Sequence, residues 1–420
     1  MVGTYPSYDE ASALVADFAA KQMQLRPLTE FVALSHAAGR VLAQPLRADR
    51  DQPPFGRSTR DGFACRAAEA SKHTLLQIVG SSRAGDAPAG PLPPASAWEI
   101  MTGAPVPTGA DAVMMVEHVE VEGGQVWLLP PRTLSLGENV VAQGAQAREG
   151  DPLLAAGASI GFAQIALAAT CGHGSIEVFV RPRVAILTTG DELVPVESAP
   201  APGQIRNSNA PMLAALVAAA GGEPWVLPTA ADNDASLDAA LGMAADADML
   251  LISGGVSAGK FDLVEPALER AGATFHFTGV RIQPGKPLVF GELPRKGFSG
   301  EAATVPFFGL PGNPVSTAVT FLLFGAPVLG ALAGSLTPGP RFALARLASA
   351  AHQHGKKGLT RLLPALCTFG EAGDLPKVVF VSTQGSGDVA ALAQSNCFVC
   401  VPENAHRLEA DEIVRILLLS

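Results

Sequence analysis

The chain has 420 residues, of which 48% are hydrophobic and 16% charged, and its formal net charge is −10. This composition predicts an intracellular protein of two to four packed domains, and the acidic balance with dispersed basic residues argues against a nucleic-acid partner. The first ten residues contain neither a basic nor an apolar segment, so no signal peptide is predicted.

The N-terminal part begins with helical signals. The spacing Ser7-x-x-Glu10 is a capping box and predicts a helix that ends near Met23. A second helix is predicted from about Thr29 to Ala38, closed by Gly39.

After residue 48 the sequence is rich in turn residues and short alternating runs. The segment Val119–Trp127 alternates around Gly123-Gly124 and predicts a β-hairpin, so residues 49–140 are expected to be mostly β. Turn-rich β structure is predicted again from Gly137 to Gly157, followed by a helix near Phe162–Thr170.

Beyond Pro182 the pattern becomes that of a doubly wound α/β domain, in which buried parallel strands alternate with helices. The predicted strands and helices are Val184–Thr188, Pro224–Pro228, Met249–Ser253 and Pro306–Leu310, separated by Pro211–Ala220, Ala235–Ala245 and Leu263–Ala271. After Gly334, strand and turn signals return and predict a small C-terminal β domain. The predicted division is residues 1–48 with 141–180 as a linking domain, then 49–140, 181–334 and 335–420.

Two segments with other candidate roles are interpreted as core. The apolar run Ala318–Gly334 is shorter than the roughly 20 residues that span a bilayer and contains Gly and Pro, so no membrane association is predicted. Cys397 and Cys400 lie in a strand-like segment whose period of two places them on opposite faces, so they are not expected to bind metal. With five scattered cysteines in all, free thiols and a cytoplasmic location are predicted.

Three glycine-rich loops each follow a predicted strand, and they begin at Thr188, Ser253 and Leu310. Loops at the carboxyl ends of such strands collect backbone N–H groups and helix N-termini, which favours phosphate. Because Glu192 and Asp262 would repel a bare phosphate, the loops predict an Mg²⁺ site that also has Asp232 as a candidate ligand.

Alternatives remain for several of these residues. Asp191 and Asp232 have the sequence position of residues that cap turns, and Lys260 has that of a solvated lysine at a helix start. The loops lack the spacing of a P-loop and of a dinucleotide-binding motif, so neither class is favoured.

Six segments together resemble the molybdopterin molybdenumtransferases, the family of bacterial MoeA and the E domain of gephyrin. They are Pro53–Ala64, Ile100–Pro107, Thr189–Leu193, Ser253–Asp262, Gln283–Pro287 and Leu310–Ser316. The resemblance implies an elongated homodimer of four-domain subunits that inserts molybdate into adenylylated molybdopterin and releases AMP with Mg²⁺. It leaves open contacts with other proteins of molybdenum cofactor biosynthesis.

The resemblance also implies roles for individual residues. Asp61 and Thr102 would complete the site from the partner subunit, while Ser386 would contribute from the C-terminal domain. Lys260 and Lys286 would bind phosphate or molybdate oxygens. The remaining candidates for substrate binding are Ser253, Gly254, Gly255, Ser257, Pro311, Gly312, Asn313, Pro314 and Ser316.

The chain departs from the family pattern where charged residues are common. Val141, Gln146 and Gln283 stand at such positions, which predicts weaker oxyanion binding or a divergent paralogue. Two other functions stay open: a pterin-binding scaffold or carrier without turnover, and an adenylyltransferase acting one step earlier.

Overall fold

The computed structural model describes residues 5–24, 28–255, 263–296, 302–352, 358–370, 374–405 and 407–419. Three predicted site residues, Ser257, Lys260 and Asp262, lie outside these ranges. The predicted fold class is confirmed, because a central α/β part with a six-stranded sheet is combined with two parts built mainly from β-strands.

The N-terminal segment begins with the predicted helix. Its first elements are α1 (Tyr8–Met23), β1 (Thr29–Ala33) and β2 (Leu46–Arg47). The Glu10 N–H donates to the Ser7 hydroxyl at 3.2 Å, and the Ser7 N–H donates to the Glu10 carboxylate at 2.7 Å, so the capping box is confirmed.

The next segment forms a six-stranded sheet in the order β7-β4-β6-β5-β9-β8. Its elements, preceded by the short strand β3, are β3 (Arg57–Ser58), β4 (Gly62–Cys65), α2 (Ala67–Ala70), β5 (Leu76–Ser82), β6 (Ser96–Ile100), β7 (Ala112–Met115), β8 (Val119–Glu122) and β9 (Gln125–Leu128). The hairpin β8–β9 turns through Gly123 and Gly124, both at positive φ, as predicted.

The chain then returns to the N-terminal strands through β10 (Val140–Val141), β11 (Pro152–Leu154), α3 (Phe162–Thr170) and β12 (Ser175–Phe179). Strand β12 pairs antiparallel with β1, so the helix predicted for Thr29–Ala38 is wrong. The Thr29 hydroxyl donates to Glu177 across this pair at 2.6 Å. Cross-strand partners 148 residues away outweigh the local helical preference of this segment.

The α/β part contains a six-stranded sheet in the order β16-β13-β17-β21-β20-β18. Its elements are β13 (Arg183–Thr188), β14 (Leu193–Val194), β15 (Ile205–Arg206), α4 (Asn209–Ala219), β16 (Glu223–Val226), α5 (Asp234–Met243), β17 (Met249–Ser253), α6 (Val264–Arg270), β18 (Thr274–Phe277), β19 (Ile282–Gln283), β20 (Val289–Lys296), β21 (Ala302–Leu310), α7 (Pro314–Thr320) and α8 (Ala326–Leu332). The four predicted strands are parallel neighbours, whereas β18 and β20 are antiparallel additions that were not predicted from the sequence.

One continuous helix, Pro314–Leu332, lies in the core of this part, with a π-helical turn joining α7 to α8. Among the described residues it is the one helix that is long and apolar enough to cross a membrane. However, 83% of its most apolar 18-residue stretch is buried inside the protein. Phe321 and Phe324 pack in one cluster with Phe18 of α1 and Phe308 of the sheet. The prediction of a buried core helix is therefore supported.

The C-terminal part is a closed barrel. Its elements are β22 (Phe342–Leu347), β23 (Ala351–His352), β24 (Thr360–Thr368), β25 (Lys377–Phe380), α9 (Val389–Ala393), β26 (Cys397–Val401), β27 (Arg407–Leu408) and β28 (Ile413–Leu418). The order β24-β25-β22-β28-β26 closes because β26 also pairs with β24. Cys397 lies in the barrel core, while Cys400 faces the cluster shared with the α/β part, as the strand period predicted.

Candidate active site

Three loops begin side by side at the carboxyl edge of the parallel strands. Thr188 is the register partner of Ser253, and Ser253 is the partner of Leu310. Because parallel strands end at one edge, the segments that follow β13, β17 and β21 are brought together there. The structure thus places the three glycine-rich loops next to one another.

The Ser253-Gly254 turn is tightly packed against the first loop. The φ angle of Gly254 is +103°, and a Cβ there would lie 2.5 Å from the carbonyl oxygen of Thr189. Only glycine fits this position. The Gly254 N–H donates to the Leu310 carbonyl at 3.3 Å, so this predicted phosphate donor is used inside the protein.

A cleft of about 590 Å³ opens above these loops, and we call it the acidic cleft. Glu192 and Asp232 both line it. The Asp232 N–H donates to the Asp191 carboxylate at 3.1 Å, and the Asp191 N–H lies 3.4 Å from an Asp232 oxygen. Partial burial, followed by repulsion from Asp191 and Glu192, raises the pKa of Asp232 above its usual value, although the Asp191 N–H opposes this change.

The carboxylates of Glu192 and Asp232 suit Mg²⁺ chemically, since this ion prefers oxygen ligands, although Arg206 also lines the cleft. Within the described ranges, however, no three His, Cys, Asp or Glu side chains are grouped closely enough to hold a metal ion. Glu192 and Asp232 therefore share a cleft without forming a complete ligand set, and the third predicted ligand, Asp262, lies outside the described residues.

A second cleft of about 760 Å³ adjoins the first and contains cations, and we call it the basic cleft. Lys286, Arg361, Gln283 and Ser386 line it. Arg361 is 5% exposed, and burial lowers the pKa of its guanidinium below the usual value. Arg361 was not predicted as a site residue. A single arginine among the apolar residues of strand β24 is nevertheless a sequence signal, because a buried charge is costly unless it has a partner.

The two clefts share a wall built from the third loop and from Pro287. Pro287, Pro311 and Asn313 line both clefts. The Asn313 side-chain amide donates to the Ser386 hydroxyl at 2.9 Å, and the Val315 N–H donates to the Ser386 carbonyl at 3.0 Å. The C-terminal part is thereby attached to the start of α7, and the contribution of Ser386 to the active site stays a prediction.

Three more predicted binding residues lie on the third loop and at the start of α7, each in one of the two clefts. Gly312 and Pro314 line the acidic cleft, whereas the buried Ser316 lines the basic cleft. Lys286 is exposed, and its ammonium lies 5.3 Å from the centre of the Tyr5 ring. An ammonium at the mouth of this cleft is free of any carboxylate contact in the described structure, which leaves it available to an anion.

Asn209, at the start of α4, connects the second loop to the third and was not predicted as a site residue. Its amide nitrogen donates to the Ser253 hydroxyl at 2.9 Å and to the Gly312 carbonyl at 2.6 Å. Asn207 makes a similar connection, because its amide nitrogen donates to Thr188 at 2.8 Å and lies 3.2 Å from Thr229. Asn209 thus joins the second loop to the third, while Asn207 joins the end of β13 to the segment after β16.

Asp61 and Thr102 are close to each other but line neither cleft. One Asp61 oxygen accepts from the Thr102 N–H at 2.7 Å and from its hydroxyl at 2.8 Å. These two hydrogen bonds lower the pKa of the exposed Asp61.

Comparison with known proteins gives the family. Three family models match in succession: the MoeA N-terminal region (domain I and II) at residues 6–172, a probable molybdopterin binding domain at 185–331, and the MoeA C-terminal region (domain IV) at 345–419. A molybdopterin molybdenumtransferase from Nostoc is 36% identical, with 93% of this chain and 89% of the relative covered. The chain belongs to the molybdopterin molybdenumtransferase family.

Further relatives agree with this assignment. The Bacillus subtilis molybdopterin molybdenumtransferase is 34% identical, with 98% of this chain and 93% of the relative covered. A solved molybdopterin biosynthesis moeA protein from Pyrococcus horikoshii is 26% identical, covers 99% of this chain and 100% of its own, and has a TM-score of 0.79. The family member described here is thus an enzyme, a transferase with a role in molybdenum cofactor biosynthesis, as the resemblance implied.

Proposed function

We propose that the chain inserts molybdate into adenylylated molybdopterin, with Mg²⁺-dependent cleavage of the pyrophosphate bond and release of AMP. The observation that supports this most is the pair of adjoining clefts with opposite charge, which share the wall at Pro311 and Asn313. The proposed reaction uses an oxyanion as a substrate and cleaves a phosphoanhydride with the help of a metal ion. It therefore needs a positively charged site for the oxyanion next to a negatively charged site for the metal ion.

The basic cleft is proposed to bind molybdate. Lys286 and Arg361 supply positive charge there, and the Ser386 hydroxyl supplies a neutral donor. Gln283 lines the same cleft in place of a lysine that is common in the family, so it offers an amide donor without charge. We expect this cleft to bind a tetrahedral oxyanion through two cations rather than three.

The acidic cleft is proposed to hold Mg²⁺ through Glu192 and Asp232, together with Asp262 by family resemblance. The ion, when bound, would neutralise charge on the phosphate oxygens as the bond to AMP breaks. Asp191 keeps Asp232 in place through the hydrogen bond that its carboxylate accepts from the Asp232 N–H.

A homodimer is proposed because the Asp61–Thr102 pair lines neither cleft of its own subunit. The apolar side chains of Phe31 and Phe162 support this, since they are 73% and 90% exposed in the predicted linking domain, where a second subunit would cover them. The five cysteines are all free, which supports a cytoplasmic location.

The test is reconstitution with purified protein, adenylylated molybdopterin, molybdate and Mg²⁺, followed by AMP release and by activation of an apo-molybdoenzyme. Lys286→Gln should reduce molybdate-dependent AMP release about 10²-fold, the typical effect of removing one anion-stabilising group. Lys377→Gln, at an exposed position on the barrel, is the matched control and should keep normal activity. Binding of the pterin substrate without turnover would support a scaffold instead.

A further inference from the structure

The segment that precedes α1 lies against the loop that carries Lys286. The Arg281 N–H donates to the Pro6 carbonyl at 2.9 Å, and the adjacent Val280 N–H donates to the Lys286 carbonyl at 3.0 Å. Two neighbouring backbone groups therefore bind the N-terminal segment and the Lys286 loop at the same place. This arrangement brings Tyr5, the residue before Pro6, next to the basic cleft.

A buried glycine provides the space for the Tyr5 ring. A Cβ at Gly279 would lie 2.4 Å from the nearest ring carbon of Tyr5, a separation that real Cβ atoms do not reach. The ring therefore lies directly on the Gly279 backbone. On the other side of Pro6, the capping box of Ser7 and Glu10 fixes the direction in which the chain enters α1. The position of the ring is thus set by contacts on both sides.

The Lys286 ammonium lies over this ring, 5.3 Å from its centre, which is within the range of about 6 Å for a cation–π interaction. Within the described ranges, no carboxylate pairs with Lys286. The two kinds of partner differ in their effect. A carboxylate would hold the ammonium but cancel its charge, whereas an aromatic face attracts it through the ring quadrupole and carries no net charge. The ammonium over Tyr5 therefore keeps its full positive charge for an anion.

An ammonium that is already held has an advantage in binding. A free lysine side chain loses rotamer freedom when it contacts a ligand, and this loss opposes binding. Contact with the ring removes part of this freedom before the anion arrives. The effect matters in this chain because Gln283 is uncharged, so that Lys286 and Arg361 supply the positive charge among the described residues of the basic cleft.

We infer that Tyr5 is a positioning residue for oxyanion binding, which holds the Lys286 ammonium at the mouth of the basic cleft without neutralising it. Tyr5 acts through Lys286 and makes no contact with the oxyanion itself. The inference rests on the proposed function, because it concerns the oxyanion that the basic cleft is proposed to bind.

The experiment measures the affinity of the full-length protein for molybdate by calorimetry. Tyr5→Leu keeps an apolar side chain on Gly279 but removes the aromatic face, and it should bind molybdate about threefold more weakly. Tyr5→Phe restores the ring and should bind molybdate as the wild type does. Phe369→Leu is the matched control, because Phe369 is a 79% exposed ring directly after β24, and its replacement should leave the affinity unchanged.

A double-mutant cycle separates positioning from packing. If Tyr5 acts through the ammonium, Tyr5→Leu should have no further effect in a Lys286→Gln background, whereas a packing role would produce the same loss in both backgrounds. In turnover measurements, Tyr5→Leu should raise the KM for molybdate about threefold and leave kcat at saturating molybdate unchanged. Thermal unfolding should give similar melting temperatures for Tyr5→Leu and Tyr5→Phe.

Four results would overturn the inference: equal molybdate affinity of the wild type and Tyr5→Leu, an equal loss in Tyr5→Leu and Tyr5→Phe, a loss of the same size in the Lys286→Gln background, or no molybdate binding by the wild type. The last result would also remove the basic cleft as the proposed oxyanion site. Turnover of adenylylated molybdopterin is measured separately. Absence of turnover together with molybdate binding that depends on Tyr5 would contradict the proposed function and leave the inference standing.

Discussion

Replacement of Asn209 by alanine tests whether the connection between the loops is required for turnover. The change removes two hydrogen bonds, to the Ser253 hydroxyl at 2.9 Å and to the Gly312 carbonyl at 2.6 Å. At about 1 kcal/mol net for each bond, the free energy of unfolding should fall by about 2 kcal/mol. Because the bonds hold the walls of the acidic cleft, displacement of these walls should also reduce AMP release by about 10²-fold.

The assay measures urea unfolding and Mg²⁺-dependent AMP release on one preparation. Asn396→Ala is the matched control, because the Asn396 side chain also makes two hydrogen bonds, of 2.7 and 2.8 Å, to the backbone of Cys367 in the barrel. It should lose similar stability and keep the turnover of the folded protein. If folded Asn209→Ala turns over as fast as this control, the reasoning about the loop connection is wrong.

Three further predictions concern assembly, the cysteines and pH. A mixture of equal amounts of Asp61→Asn and Glu192→Gln subunits should recover about a quarter of wild-type AMP release after subunit exchange. About half of the dimers are then heterodimers, and one of the two sites in each heterodimer is intact. Verified heterodimers without activity would contradict the shared site. The double variant Cys397→Ser, Cys400→Ser should keep fold and turnover, and stoichiometric zinc in the native protein would refute this. Because the pKa of Asp232 is raised, its carboxylate is protonated at a higher pH than that of an ordinary aspartate. The Mg²⁺ concentration for half-maximal AMP release should therefore rise as pH falls. The variant Asp232→Asn should show a weaker dependence of this concentration on pH.

The fold could be predicted where the signal is local. The capping box at Ser7 and the turn at Gly123-Gly124 depend on residues within a few positions of each other. The helix prediction for strand β1 is wrong because the residues that pair with it lie near Glu177, far along the chain. The antiparallel strands Thr274–Phe277 and Val289–Lys296 were not predicted for the same reason. They form by pairing with each other and with the edge of the parallel sheet, and not through a local sequence signal.

The same distinction applies to the site. The sequence predicts that the loops after Thr188 and Ser253 meet, because the carboxyl ends of parallel strands lie at one edge of the sheet. Asn209 could not be found in this way, since its partners are 44 and 103 residues away and its side chain resembles that of an ordinary helix-start asparagine. For Arg361 the sequence signals only a charge in an apolar strand, because the basic cleft that it lines forms only when the barrel packs beside the third loop.

The buried helix Pro314–Leu332 has a consequence for how the protein is made. During synthesis this apolar segment leaves the ribosome after Phe18 of α1, Ile186 of β13, Leu251 of β17 and Phe308 of β21, all members of the cluster that covers it. Domains fold as units while the chain is still being elongated. Because the residues that cover it have been synthesised before it, the most membrane-like segment of the chain can be buried as soon as it emerges, which shortens the time for which chaperones or the membrane insertion machinery can bind it.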